Sequence, residues 1–187
     1  SGEQEPEFVH APQAWLGAAV AIKEPTSVPL VRQSGSNLLL VGHREEAALG
    51  VLTTSLVALA AQDRPEDGHL GRFVVLDGTR ADAPEAGFWP RFARQFGREV
   101  TVATPRDAAK VIAEVDAEVC RRQEGGIEDA PPIFMVAYDL GRFRDLRRDD
   151  DDYGFGMGED KPPSPGKQFA NILREGPALG VHLLMWC

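Results

Sequence analysis

LLLVGHREEAALGVL, residues 38–52, is the stretch that decides the predicted fold. Four apolar residues lead up to Gly42, and apolar residues recur at helical spacing from Glu45 onward. An uninterrupted apolar run is typical of a strand that is buried on both faces. A strand, a glycine and a helix in this order form phosphate-binding loops, although the same order describes an ordinary strand-to-helix turn. The stretch therefore predicts an α/β fold, and the residues after Gly42 must decide whether phosphate chemistry is present.

Apolar runs and helical patterns alternate along the rest of the chain. Further strands are predicted at 72–78, 99–104, 131–140 and 180–187, and helices at 45–62, 87–96, 106–123 and 167–176. Thr104 and Pro105 are predicted to start the third of these helices. Two short extended segments within 18–35, divided by Pro25 and Pro29, predict a small edge hairpin. The alternation predicts a three-layer α/β fold with a mainly parallel sheet of about five strands, whose first and fourth strands lie adjacent or nearly so.

The length and composition fit one globular domain. The chain has 187 residues, of which 43% are hydrophobic and 26% are charged. Residues 1–15 are interpreted as an acidic lead-in and residues 16–187 as the domain, with a mobile acidic and Gly/Pro-rich loop at 149–166. Because the sequence stops inside the last predicted strand, at Cys187, we expect the natural chain to continue beyond it.

The charge and the cysteines exclude several classes of function. A net charge of −9 argues against autonomous nucleic-acid binding, which depends on cations that meet phosphates. Cys120 and Cys187 are too few for a disulfide framework or a metal array, so a cytoplasmic location is the default and no metal is expected. No apolar stretch approaches the roughly 20 residues that cross a bilayer, so no membrane segment is predicted.

The residues after the first strand depart from a working phosphate loop. The register G-x-x-x-x-G-K-[ST] assigns eight positions to a nucleotide-binding remnant: Gly42, His43, Arg44, Glu45, Glu46, Ala47, Ala48 and Leu49. The second glycine, the lysine and the hydroxyl are absent, and Glu45 and Glu46 bring negative charge to the place of the phosphates. Gly42 is therefore interpreted mainly as the residue of a tight turn.

A second site element is predicted at the end of the fourth strand. In a Walker B motif, four apolar residues precede an aspartate that holds Mg²⁺ through water and a glutamate that orients the attacking water. The run FMVAYDL supplies Asp139, but Leu140 replaces the glutamate. Asp139 either holds Mg²⁺ or caps the turn at Gly141, and the sequence favours neither interpretation.

The order of these segments resembles the motor domain of the FtsK/SpoIIIE family, ring ATPases of the HerA–FtsK class that pump DNA. The segments that carry the resemblance are SGSNLLLVG (34–42), FVVLDGTRAD (73–82), AEVDAEVCRRQ (113–123), IFMVAYDLGRFRDL (133–146) and FANILREGPALGVHLLMWC (169–187). The last is the most specific, and together they cover about residues 16–187. The resemblance implies a RecA-like P-loop NTPase fold with degenerate Walker motifs, in which Trp186 and Cys187 replace the polar end of the sensor strand.

The resemblance implies a structural or regulatory domain of a larger DNA-translocating or secretion ATPase, with little or no hydrolysis of its own. Type VII secretion ATPases belong to the same family, and their later domains often carry degenerate sites of this kind. The expected partners are other domains or subunits of a ring ATPase, with DNA or secreted protein contacted only through the assembly. No catalytic residue and no cofactor are expected in isolation. One alternative is an active motor that binds ATP and Mg²⁺ when a neighbouring subunit completes the site, and another is an α/β protein-interaction module.

Several conspicuous residues have ordinary structural interpretations. His182 is predicted to be a core histidine, His43 a surface residue, and Trp15 and Trp89 packing residues. An arginine cluster precedes four aspartates and is interpreted as a solvated, partly self-neutralised loop: Arg142, Arg144, Arg147 and Arg148.

Overall fold

A computed structural model describes residues 11–20, 22, 24–62, 70–125, 130–146 and 163–187. Its strands are β1 (Gln13–Gly17), β2 (Thr26–Pro29), β3 (Leu38–Leu40), β4 (Arg72–Asp77), β5 (Val100–Ala103), β6 (Ile133–Tyr138) and β7 (Val181–Trp186). Its α-helices are α1 (Glu45–Gln62), α2 (Phe88–Gln95), α3 (Ala108–Gly125) and α4 (Pro165–Glu175). Short 3₁₀ helices cover Leu140–Arg142, Arg144–Leu146 and Pro177–Leu179. The alternation of strands and helices agrees with the predicted α/β class.

Five strands form one parallel sheet in the order β3-β7-β6-β4-β5. Only β7 lies between β3 and β6, which confirms that the first and fourth predicted strands are adjacent or nearly so. In β4, alternate side chains enter two separate cores, because successive residues of a strand point to opposite faces. Val74 and Leu76 meet residues of α3 and α4 on one face, whereas Phe73 and Val75 share the other core with α1 and α2. The sheet therefore lies between two helical layers, as predicted.

The first strand of the sheet differs from its prediction. The apolar run predicted a strand buried on both faces, but β3 lies at the edge of the sheet. Leu38 and Leu40 pack against the core that contains α1, whereas the side chain of Leu39 is 53% exposed. The composition of the run does not distinguish an interior strand from an edge strand, since strand order is set by distant parts of the chain.

The N-terminal hairpin also differs from its prediction. β1 and β2 are antiparallel, but they form a separate two-stranded sheet and do not extend the edge of the main sheet. β1 begins at Gln13, inside the segment predicted as a lead-in, and it packs along α1. The hydroxyl of Ser55 on α1 donates a hydrogen bond to the carbonyl of Trp15 at 2.9 Å. Trp15 itself is 46% exposed, so its predicted packing role holds only in part.

Two helices begin two residues away from their predicted starts. α3 starts at Ala108, because Thr104 and Asp107 form a preceding turn in which the threonine hydroxyl donates to the aspartate at 2.8 Å. α4 starts at Pro165, within the predicted 149–166 loop, and Ser164 caps it by accepting the backbone N–H of Lys167. The rest of that loop up to residue 162, with Arg147 and Arg148, lies outside the described residues, as do residues 1–10 of the lead-in.

A buried arginine joins the carboxyl end of α3 to the amino edge of the sheet. The guanidinium of Arg122 donates to the carbonyls of Leu179 and Pro131 and to the carboxylate of Glu118, at 2.8, 2.8 and 2.7 Å. Hydrogen bonds from Arg121 and then from Arg122 lower the pKa of Glu118 from 4.5 to about 2. Glu118 thus compensates a guanidinium that would otherwise be buried without a counter-charge.

Candidate functional site

The predicted phosphate loop lies at the carboxyl edge of the sheet, between β3 and α1. Residues 41–44 form the connection, because β3 ends at Leu40 and α1 begins at Glu45. The other five predicted positions, residues 45–49, are therefore helical. A loop of four residues offers few backbone N–H groups with which to surround a phosphate, since these groups must converge from an extended loop.

Two backbone carbonyls, one in the connection and one in the first turn of α1, accept hydrogen bonds from aromatic side chains of the sheet. The carbonyl of Gly42 accepts a hydrogen bond from Nε1 of Trp186 at 3.0 Å, and the carbonyl of Glu45 accepts one from the hydroxyl of Tyr138 at 3.4 Å. The N–H of Gly42 donates to the carbonyl of Cys187 at 3.1 Å and extends the β3–β7 ladder. Phosphate oxygens need donors, so these carbonyls have the wrong polarity for phosphate binding.

Two aromatic side chains fill the space below the connection, and we call Tyr138 and Trp186 the aromatic plug. Their ring centroids are 4.9 Å apart, and both residues are almost fully buried. The ring centroids of Tyr138 and of Trp89, on α2, lie 5.8 Å apart. Trp89 is fully buried, in agreement with its predicted packing role. The plug belongs to the same core as Ala48 of α1. Packed aromatic rings occupy the carboxyl edge between β3 and β6.

The missing lysine and hydroxyl positions point into the core. Ala48 is 6% exposed and Leu49 is also buried, so neither faces a cleft that a nucleotide enters. Glu45 and Glu46 lie in the first turn of α1, where negative charge interacts favourably with the helix dipole. The same charge repels phosphate, so the residues that stabilise this helix end also disfavour a triphosphate.

Gly42 does not depend on the special properties of glycine. Its φ angle is outside the left-handed region, and a Cβ built at this position has no neighbour within 4 Å. The tight turn predicted for Gly42 therefore needs no glycine. The opposite is true of Gly78, after β4, where a Cβ would collide with the carbonyl oxygen of Tyr138.

Asp139 follows β6 at the same edge, as the sequence predicted. Its backbone is left-handed, with φ 55° and ψ 62°, and it precedes the 3₁₀ helix Leu140–Arg142. Burial raises the pKa of the Asp139 carboxyl, and the charges of Arg142 and Arg80 act in the opposite direction. Leu140 packs against the core and offers no group that orients water.

Charged side chains at this edge are mostly acidic. Burial raises the pKa of the Tyr138 hydroxyl, and neighbouring carboxylates raise it further: Glu45, Glu85, Asp139 and Asp77. The exposed side chain of Arg80 makes a two-point ion pair with Asp82 at 3.1 and 3.2 Å, and this hydrogen bonding raises the pKa of Arg80. The charges of Glu45 and Asp139 contribute to the same shift. Arg80 is therefore a positively charged side chain of this same chain that lies near the two predicted site elements.

The residues at this edge do not fit Mg²⁺ and ATP. Within the described ranges, no group of three or more His, Cys, Asp or Glu side chains is arranged to hold a metal ion. The carbonyl of Gly42 is an acceptor that already has a donor, and the side chain at the lysine position, Ala48, lies in the core.

The sequence predicted the positions of the two site elements but missed what joins them. The resemblance predicted that Trp186 stands in place of a polar sensor end, and Tyr138 was interpreted only as an apolar strand residue. The signal was a pair of large donors at the ends of two predicted strands, but their contact depends on strand order. His182 is buried as predicted, with Nδ1 2.9 Å from the carbonyl of Ser36, and His43 is exposed.

No protein-family model matches this chain, and no curated protein matches it. Among the described residues, no helix combines the length and apolar character needed to cross a membrane.

Proposed function

We propose that the chain is a degenerate FtsK/SpoIIIE-type P-loop domain with little or no ATP hydrolysis of its own. It would be a structural or regulatory part of a larger DNA-translocating or secretion ATPase. The order of its motifs supports the family, as does the meeting of the two predicted site elements at one edge of a parallel sheet. In such sheets, ligands bind beyond the carboxyl ends of the strands. Its partners are other domains or subunits of the assembly.

The aromatic plug is the observation that supports the proposed lack of ATP hydrolysis. In a working site, backbone donors and a lysine meet the phosphates. Here the Gly42 carbonyl accepts from Trp186, and the two rings occupy the adjacent space. A triphosphate would have to displace packed side chains and then face unpaired carbonyl oxygens, which costs free energy instead of gaining it.

Electrostatics act in the same direction. Burial raises the pKa of the Tyr138 hydroxyl, and the negative charges of nearby carboxylates raise it further: Glu45, Glu85, Asp139 and Asp77. Arg80 is engaged with Asp82, so it is not a substitute for the missing lysine. The net charge of −9 adds long-range repulsion of nucleotides and of DNA.

Calorimetric titration with ATP and Mg²⁺ tests the proposal. We expect no heat of binding up to millimolar nucleotide for the wild-type protein or for Asp139→Asn, and no phosphate release from either. A dissociation constant below about 100 μM for the wild type, lost in Asp139→Asn, would support the active-motor alternative instead. Asp139→Asn is the informative variant because it removes only the charge that a magnesium ion would need.

A DNA titration tests the second part of the proposal. Fluorescence anisotropy with labelled duplex DNA should show no saturable binding by the isolated protein at low salt, where electrostatic attraction is strongest. Saturable binding that weakens steeply with salt would show that this chain contacts DNA directly, contrary to the proposal.

A further inference from the structure

An apolar groove lies between the C-terminal part of α1 and α2. It has a volume of about 520 Å³, and its walls include Val57 and Ala61 of α1 and the rings of Phe92 and Phe96. These two rings lie 4.7 Å apart, and Val57 is 50% exposed. Clefts of this size with aromatic walls are typical of binding sites. The groove is therefore large enough to receive an aromatic side chain from another segment.

The wall formed by α2 is basic, although the chain as a whole is acidic. Residues 86–98 contain three arginines and no acidic residue, whereas the net charge of the chain is −9. Arg91 and Arg94 are exposed, and they share one face of α2 because they are three residues apart. Arg98 lines the groove and donates to the carbonyl of Ala60 at 3.3 Å. The groove therefore suits a segment that combines carboxylates with an apolar side chain.

The N-terminal segment of this chain has that composition. Residues 3–9 read EQEPEFV, so three carboxylates precede Phe8 and Val9. Exposed ion pairs stabilise little on their own, whereas the burial of an aromatic side chain contributes more. The charges thus favour one orientation of the segment, and Phe8 supplies most of its affinity for the groove.

The start of β1 brings this segment to the end of α1. The backbone N–H of Gln13 donates to the side-chain carbonyl of Gln62, and the side-chain amide of Gln62 donates to the carbonyl of Gln13, both at 2.8 Å. Gln62 is the last residue of α1 and follows Ala61, which lines the groove. An extended chain covers up to about 3.3 Å per residue, and a helix with its side chains is about 10 Å wide. Residues 3–9 are therefore long enough to cross the end of α1 and reach the groove.

We propose that the groove between α1 and α2 is the docking site of this chain's own N-terminal segment, residues 3–9, with Phe8 in the groove and the glutamates beside the arginines of α2. The docked segment covers apolar surface and holds α2 against α1. Because the segment belongs to the same chain, its effective concentration at the groove is on the order of millimolar, so a weak affinity is sufficient. The proposal does not depend on the family proposed above.

Hydrogen exchange of the intact chain tests the docking. The amides of α2 should exchange at least about threefold faster in Phe8→Asp than in the wild type, because release of the segment exposes the groove and loosens the helix. Val20→Asp is the matched control, since Val20 is a fully exposed apolar residue outside the groove, and it should leave α2 exchange unchanged. Both variants should retain the wild-type circular dichroism spectrum.

An exchange of charges between the two surfaces tests the orientation. Glu5→Lys combined with Glu7→Lys should speed exchange in α2, and so should Arg91→Glu combined with Arg94→Glu. When all four substitutions are combined, at least about half of the lost protection should return, because the facing charges are again opposite. An effect of the arginine variants on α2 alone would not be reversed by changes in residues 3–9.

Val57→Glu is the second groove variant, for use if the arginine variant does not give the wild-type circular dichroism spectrum. It should speed α2 exchange, and Phe8→Asp should then have no further effect. Equal exchange in wild type and Phe8→Asp overturns the proposal, as do additive effects of the charge substitutions. Protection that rises with protein concentration assigns the groove to a second copy, and protection lost in Val57→Glu but kept in Phe8→Asp assigns it to another part of the chain; either result also refutes the docking of residues 3–9.

Discussion

Replacement of Trp186 by alanine should destabilise the domain strongly. The residue is 7% exposed, its ring lies 4.9 Å from that of Tyr138, and its Nε1 donates to the carbonyl of Gly42 at 3.0 Å. Truncation of a buried tryptophan costs roughly 3–5 kcal/mol, which includes the cavity that is left. A domain stabilised by about 5–15 kcal/mol would lose a large part of its free energy of unfolding.

Urea unfolding followed by circular dichroism measures this loss, and two variants separate its causes. Trp186→Phe retains an aromatic ring but removes the indole N–H. Its loss of unfolding free energy should therefore be only about 1–2 kcal/mol, which comes from the missing hydrogen bond and from some lost ring contact. Trp15→Ala is the control for tryptophan removal as such, because Trp15 is 46% exposed and should cost clearly less than Trp186→Ala. A loss below about 1 kcal/mol in Trp186→Ala would refute the claim that this side chain fills the site.

Three further predictions concern glycine, charge and the lysine position. Gly78→Ala should lower the melting temperature by several degrees because its Cβ collides with a β6 carbonyl, whereas Gly42→Ala should leave it unchanged; equal melting temperatures would contradict this. The lowered pKa of Glu118 means that its contribution is present above pH 4.5 and is lost as the pH falls from there to about 2. The stability difference between wild type and Glu118→Gln in urea should therefore shrink over that range, and a constant difference would exclude the ion pair as its cause. Ala48→Lys should destabilise by more than about 2 kcal/mol without creating ATP affinity, because it buries an amine, while Ala47→Lys on the exposed side of the same turn should be nearly neutral in the same assays.

The strands and helices could be predicted because their signal is local. α1 matches its predicted range, and β4 and β6 lie within theirs, since continuous apolar runs and helical spacing record which faces are buried. The edge position of β3 could not be predicted in this way. Its apolar run predicted burial on both faces, whereas the position of a strand in the sheet depends on distant parts of the chain.

The site could be predicted in position but not in content. Gly42 and Asp139 each follow a predicted parallel strand, and the carboxyl ends of parallel strands lie at one edge of a sheet. Their position at the same edge could therefore be predicted. The contact between Tyr138 and Trp186 depends on β6 and β7 being neighbours, which the sequence does not state. The hydrogen bond that the Gly42 carbonyl accepts depends in turn on where Trp186 directs its indole N–H. The missing motif residues argued against phosphate chemistry, whereas the packing of the two aromatic rings at this edge could be seen only in the structure.

Stability and nucleotide binding place opposite demands on this edge. A phosphate loop holds backbone donors and a lysine in place for a ligand, so part of its stability comes only when the ligand is bound. In this chain the Gly42 carbonyl has its own donor in Trp186, the helix dipole has its own anion in Glu45, and Ala48 contributes to the core. Each of these contacts makes the fold independent of a ligand and also raises the free-energy cost of admitting one. A lysine at position 48 alone therefore cannot create ATP binding, because the aromatic plug and the acidic first turn must change with it.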